Sequence, residues 1–514
     1  MRLAAAMVLL GAAAQVLPAQ KPVPIQITID GTKPVRTMQG GIGASWHAIE
    51  TPILRSVKIR TPGQVPPGGS AWGANPHPDD DAGWAEVFRH ADWLGLDWCR
   101  VELEQRMYEP ERRRFDWNNP EMRILYRILD WTERRGVEVF LQQMWSNVDW
   151  NAHPELRGTD RRVNSSPHSM DDFTYGLGEL VEHLSKRKGY RSIRWLGLTN
   201  EPGQNWSWWQ GPDGKAAPLA PGLAAVRKEL DRRGLDVKLA APDWSGLPEP
   251  VPAGYDWEPH IGAYDLHTYG VAFDGMGCGE MQLSGAEYRL WQWSGYAHDR
   301  RKPFFLSELG TSLYGTHGRD PGPGIYDSAL KDAALVVRGI RSGVDAFNRW
   351  SMLNRGDLDG QWQLVDTWDF DANKLRGMFT PHPNSYYLYG LLSRLTAPHS
   401  EVLETKVEGN PEERERSLIA ATLRSADGHL TVMVVNEMYW NADVTVQLTA
   451  AGKRTLRRYA VTPAARDRAD VLIEPTGAYP EAGFSDRVPG LSVVVYSTYS
   501  LPPTAPGIAG KPRQ

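Results

Sequence analysis

The chain has 514 residues, more than one compact core normally organises, and so points to at least two domains, one of them large. Its formal net charge is −5, with 57 basic and 62 acidic residues spread along the sequence. No basic stripe results, which argues against nucleic acid as a partner. Of the two cysteines, Cys99 lies in an apolar run and Cys278 in a Gly-rich loop; the plainer reading is that they are unpaired, and export would permit a disulfide without requiring one. No Cys/His spacing matches a zinc site, and neither a metal nor a cofactor is expected.

Arg2 is followed by an apolar, Ala-rich run from Leu3 to Ala14 and then by small residues, with cleavage positions after Ala14 or Ala19. Residues 1–19 therefore read as a signal peptide, and the mature chain as secreted or periplasmic. No later stretch is long and apolar enough to span a membrane. Val23–Ile29 is a strand-like run that can pair with strands near the C-terminus, which assigns residues 23–36 to the second domain.

From Thr37 to Leu395 an apolar strand-like run, a polar loop and a helix-period segment recur. Eight such runs are Met38–Trp46, Leu96–Glu104, Val137–Trp145, Ile193–Glu201, Val237–Trp244, Tyr264–Tyr269, Pro303–Gly310 and Asp345–Asn354. Helices are predicted between them, as over Glu121–Arg135, Asp172–Lys188 and Ala329–Arg341. Four of the runs follow a basic residue pair or Arg-Ser and a glycine: Gly136, Gly189, Gly234 and Gly343. Glycine just past a helix end takes the left-handed turn that closes it. Continuous apolar runs alternating with helices indicate buried parallel strands. Eight pairs over residues 37–395 predict an α/β fold, a closed (β/α)₈ TIM barrel. An open doubly wound sheet is the alternative, but Gly40–Trp46 lacks the G-x-G-x-x-G spacing of a phosphate turn. Asp79, Asp80 and Asp81 sit in the long first loop, where a solvated acidic loop is favoured over a calcium site.

After Leu395 the sequence turns to short β-branched strands at turn-like spacing. Residues 396–501 therefore read as an all-β, sandwich-like domain, and the Pro/Gly-rich tail 502–514 as disordered. Tryptophan is abundant, with 21 residues. Indoles suit the faces of sugar rings, and they equally suit a large core.

Catalytic groups of such a barrel lie at the C-terminal ends of its strands. The fourth run ends in Asn200-Glu201-Pro202 and the seventh carries Glu308. The second run holds Arg100, Glu102 and Glu104; the third ends in Trp145; the sixth holds His267 and Tyr269; the eighth holds Trp350. Two carboxyl groups facing each other across one mouth are what glycoside hydrolysis needs, one protonated and the other ionised. Leaving carboxylates at apolar strand ends is costly without such a reason.

Thr199-Asn200-Glu201-Pro202 after the fourth strand, with Glu308 after the seventh, resembles clan A of the retaining glycoside hydrolases. The added β domain and Gln39–Trp46 are similar to family thirty, and the β domain also to family thirty-nine. The resemblance implies that Glu201 is the acid/base and Glu308 the nucleophile. It implies that Asn200 bonds the sugar 2-hydroxyl, Tyr269 orients Glu308, and Arg100 keeps Glu308 ionised. His267 would line the pocket and Trp350 floor the first subsite. Trp206, Trp208 and Trp209, which follow the acid/base, are candidates for a stacking platform, one or two of them facing the sugar; Trp145 is a further substrate-binding candidate. The expected activity is hydrolysis of a β-linked oligo- or polysaccharide by double displacement, with carbohydrate as substrate and the oligomeric state left open. Three rivals remain: an inverting hydrolase using Glu102 or Glu104, a catalytically silent carbohydrate-binding protein, and a structural surface protein whose tryptophans are core.

Overall fold

The computed structural model describes residues 23–50, 73–143, 147–204, 207–269, 283–310, 326–353, 362–369, 372, 374–411 and 416–501. Residues 1–19, Trp145, Trp206, Cys278 and the tail 502–514 lie outside that set. Among the described residues no helix is long and apolar enough to cross a membrane.

The first strand, β1 (Val23–Thr37), precedes the barrel. Eight parallel strands then close on one another in sequence order. They are β2 (Ile42–His47), β3 (Trp98–Leu103), β4 (Glu138–Gln143), β5 (Ile193–Gly197), β6 (Lys238–Ser245), β7 (Ala263–Tyr269), β8 (Phe304–Gly310) and β9 (Ala346–Arg349), with β9 pairing back to β2. Each lies within its apolar run or one residue beyond it. The surrounding helices are α1 (Asp81–Leu94), α2 (Gln105–Tyr108), α3 (Pro120–Arg135), α4 (Met170–Glu182), α5 (Leu219–Arg232), α6 (Leu283–Asp299), α7 (Tyr326–Ser342) and α8 (Ser385–Ser393). Polar side chains start several of them: Asp80, Asn119 and Ser169 accept from backbone N–H groups of α1, α3 and α4. All four predicted glycine stops have positive φ, as at Gly136 (69°) and Gly343 (105°). The segment expected as one helix over Asp172–Lys188 instead ends α4 at Glu182 and continues as a π-helical turn over His183–Arg187.

The three aspartates of the first loop are used locally. Asp80 caps α1, while Asp79 pairs with Arg123 and Asp81 with Arg127 on α3.

The barrel interior is layered. Trp98, Phe140, Trp195, Ala240, Ala263, Phe305 and Ala346 fill one level as a separate buried cluster. Phe305 packs against both Trp98 and Trp195, with ring centroids 4.8 Å apart in each pair. Two residues further along β3, β4 and β7, the same inward face carries Arg100, Gln142 and Asp265, because strand side chains alternate with period two. An apolar plug therefore supports a polar layer.

Beyond the barrel come a hairpin, β10 (Val365–Asp369) with β11 (Lys374–Pro381), and the C-terminal strands β12 (Glu401–Glu408), β13 (Leu418–Arg424), β14 (Leu430–Asn436), β15 (Ala442–Thr449), β16 (Thr455–Val461), β17 (Gly477–Pro480), β18 (Gly483–Val488) and β19 (Ser492–Ser497). With β1 they form one nine-stranded sheet in the order β17-β16-β19-β14-β13-β12-β1-β15-β18. β1 runs antiparallel to β12 and parallel to β15. The sheet curls until its edges meet: Asp486 on β18 accepts from Tyr479 on β17, Tyr496 on β19 and Arg458 on β16. Its inner face buries Ile25, Ile27, Ile29, Val432, Val444 and Val494. The alternate residues of β13, β14 and β19, including Ile419, Met433 and Val493, join the barrel's core instead. That is why these central strands are buried on both faces while β15 alternates buried and exposed.

Candidate active site

At the C-terminal end of the barrel strands the polar layer becomes a compact network. Arg100 on β3 is fully buried. Its Nη1 donates to Glu102 (3.0 Å) and to Glu308, and its Nη2 to Asn200 Oδ1 (3.1 Å) and Asp243 Oδ1 (3.1 Å). A buried guanidinium is tolerable only beside such counter-charges and carbonyl acceptors. His267 on β7 lies between the two glutamates. Its Nδ1 is 2.9 Å from Glu201 Oε1 and 3.3 Å from Glu308 Oε2, and its Nε2 is 2.8 Å from Asp243 Oδ1. The Tyr269 hydroxyl donates to Glu308 Oε2 (2.6 Å). One carboxylate oxygen each of Glu201 and Glu308 and one His267 ring nitrogen all lie within 4.8 Å of one another.

Local backbone features produce this convergence. β5 ends at Gly197, so Asn200 and Glu201 stand beyond the strand end, with Glu201 at φ 47° and its N–H donating to Asp243 O (2.9 Å). Gly197 leaves the space that the Gln142 side chain fills; a Cβ there would collide with it. The pairing of β6 with β7 slips between Pro242 and Trp244, and that of β7 with β8 between Leu266 and His267. Such slips re-aim side chains, and here they bring Asp243 and Glu308 into the mouth.

The charges are mutually determined. Burial opposes a charged His267, but Glu308 and Asp243 outweigh it and hold the imidazole protonated far above its ordinary range. Burial, then the neighbouring Asp243, push Asp265 well above the usual carboxylate range. Burial also dominates at Glu308: against the pull of His267 and Arg100, and with Glu201 and Glu102 adding repulsion, its carboxyl is pushed up to about 7. The lowering by Arg100 that the resemblance implies is thus real in sign and smaller than the cost of desolvation. Burial and Glu308 keep Tyr269 a neutral phenol.

Glu201, His267 and Glu308 have the spacing of a metal-binding group. An imidazolium donating from both nitrogens has no lone pair to offer, so the donor set fits hydrogen bonding rather than a metal ion.

The structure thus brings Arg100, Asn200, Glu201, His267, Tyr269 and Glu308 together. Trp350 stands just past β9, only 6% exposed, with its ring 4.7 Å from that of His47. His47 in turn pairs with Glu102. Glu104 is tied to Arg106 (2.8 Å). Trp208 is wholly buried, edge-on to Phe173 (5.7 Å) and Trp209 (5.2 Å). Trp209 is likewise core, its ring filling the space left by Gly222 on α5. Trp46, Trp84, Trp98 and Trp293 are also fully buried, so much of the tryptophan content serves packing.

Asp243, Asp265, His47 and Trp362 were not anticipated. The two aspartates carry the signal that marked Glu201, an acidic residue in an apolar strand run. His47 directly follows the first run. Trp362, whose ring meets Tyr269 edge-on at 5.2 Å, comes from the segment after β9 and has no local signal.

By sequence the chain matches no family profile and no curated protein. Its fold is shared with solved glycoside hydrolases. The catalytic domain of the GH30 xylanase C from Talaromyces cellulolyticus superposes with a TM-score of 0.59 at 12% identity, over 92% of this chain and 99% of that one. An α-L-arabinofuranosidase from Thermotoga maritima gives 0.56 at 12% identity over the same shares. A conserved exported protein from Bacteroides fragilis gives 0.60 at 13%, again over 92% and 99%. At these identities the likeness is one of fold: a clan A type barrel with an added β domain.

Proposed function

We propose that this chain is a retaining glycoside hydrolase acting on a β-linked oligo- or polysaccharide, with Glu308 as nucleophile and Glu201 as acid/base. The observation that carries the reading is the approach of one carboxylate oxygen of Glu201 to one of Glu308 within 4.8 Å, at the C-terminal mouth of a closed barrel. Retaining pairs stand roughly 5–5.5 Å apart, whereas inverting pairs need about 6.5–9.5 Å to admit a water. The inverting alternative fares worse on contacts as well, since Glu102 is engaged by Arg100 and His47, and Glu104 by Arg106.

Glu308 receives the stronger set of donors, Arg100, Tyr269 and His267, and is the group suited to attack as an anion. Glu201 gives its proton to the leaving oxygen as Glu308 bonds to the anomeric carbon. It then takes a proton from the water that releases the sugar with its configuration retained. Asn200 Nδ2 is buried with no hydrogen-bond partner among the described residues, and a sugar 2-hydroxyl would satisfy it. Trp350 and Trp362 are the aromatic walls for the ring. Export as a secreted or periplasmic protein, and a barrel over residues 37–395 with residues 23–36 and 396–501 as the second domain, belong to the same proposal.

The test compares Glu201→Ala and Glu308→Ala on aryl β-glycosides with good and poor leaving groups, with and without azide, and identifies the product anomer. Glu201→Ala should keep glycosylation of good leaving groups and be rescued by azide with retention. Rescue of Glu308→Ala alone would exchange the roles, and undiminished activity in both variants would place the active site elsewhere.

A further inference from the structure

Asp243 occupies a place that the roles above leave unassigned. Its side chain is buried, and Oδ1 accepts from both Arg100 Nη2 (3.1 Å) and His267 Nε2 (2.8 Å). Oδ2 accepts from Gln142 Nε2 (3.3 Å). Its carbonyl accepts the Glu201 N–H (2.9 Å), and its own N–H donates to Asp265 Oδ1 (3.1 Å). The backbone there is left-handed, at φ 59°, within the slip between β6 and β7. One residue thereby reaches the main chain of one glutamate, the cation bonded to the other, and the imidazole that bridges both.

We propose that Asp243 is the positioning residue of this site, setting the separation and charge balance of Glu201 and Glu308 through His267, Arg100 and the Glu201 main chain. The inference rests on the hydrolase reading above. Asp243 makes no hydrogen bond to either glutamate's carboxylate, so it acts only through its neighbours. The groups that face it are Arg100, His267, Asp265 and Gln142, with Glu102, Glu201 and Glu308 one contact further away. His267 can donate to both glutamates and to Asp243 only while both its nitrogens carry protons, and the Asp243 carboxylate is what pairs with the second. A neutral group there leaves the imidazolium with one fewer counter-charge. The ring then sheds a proton within the working pH range and no longer holds the glutamates at their spacing.

Asp243→Asn keeps the shape and removes the charge. The probes are 4-nitrophenyl β-glycosides of xylose, glucose and galactose, assayed beside wild type and Glu308→Gln. The expected result is a kcat lower by about 100-fold with KM within about threefold, as for a catalytic group slightly misplaced. The basic limb of the pH profile should also move to lower pH, because His267 now deprotonates there. A merely structural role would reduce melting temperature and active fraction but leave that profile in place. If Glu308→Gln is inactive while Asp243→Asn keeps the wild-type rate and profile, this inference is overturned and the hydrolase reading stands. If Glu308→Gln remains active, or wild type cleaves none of the probes, the hydrolase reading itself fails. Should Asp243→Asn not fold, the ¹⁵N resonances of His267 in the wild-type protein decide. Two protonated nitrogens from about pH 5 to about 8 are expected, and a neutral ring at about pH 7 would overturn the proposal.

Discussion

Replacing Glu308 by Gln should abolish turnover and at the same time stabilise the folded protein above neutral pH. Glu308 is buried, and its carboxyl is pushed up from the ordinary 4.5 to about 7, chiefly by loss of solvation. Below about 4.5 the folded and unfolded chains both hold the proton. Between the two values only the folded chain holds it. Above about 7 neither does, and the folded state then carries the whole cost of a buried anion. Stability contributed by this group is therefore lost as pH rises through that window. The difference corresponds to about 3 kcal/mol. Glutamine is nearly isosteric and uncharged, so the variant should recover that energy at about pH 8, seen as a rise of a few degrees in melting temperature, and almost none of it at about pH 4.5. Calorimetry of both proteins across this range, with turnover measured on the same samples, makes the check. An equal gain at both pH values, or a loss at the higher one, would refute the burial argument. Retained turnover would refute the nucleophile assignment.

Three further outcomes follow from the same geometry. The acid limb of kcat/KM should fall near pH 7, where Glu308 takes up its proton, and a profile flat down to about pH 5 would contradict this. Tyr269→Phe removes a 2.6 Å hydrogen bond to the Glu308 carboxylate and should lower kcat by about 10- to 100-fold. The acid limb should move to higher pH with it, because the lost donor favoured the charged form. Trp208→Ala should destabilise the protein by about 3–5 kcal/mol while KM stays unchanged, since the indole is a core side chain; a large rise in KM without loss of stability would restore it to the sugar site.

The barrel was legible because its signals are local. Each strand is a short apolar run, every interval except that between β6 and β7 holds an α-helix, and the glycines after the last basic turn adopt the left-handed conformation their position demands. Glu201 and Glu308 could be singled out for the same reason, since a carboxylate at the end of an apolar strand is conspicuous wherever the strand goes. Tertiary structure alone decided which groups share that mouth. Asp243 and Glu308 enter it through slips in strand pairing, which depend on the neighbouring strand and leave no mark in their own sequence. The ionisation of Glu308 depends on burial and on charges from β3, β7 and the segment after β5 together, so counting nearby cations underestimated the cost of desolvation. Trp208 and Trp209 have the composition of a sugar platform, yet face Phe173 and each other, because an indole serves a core and a ligand equally well and only its surroundings choose between them.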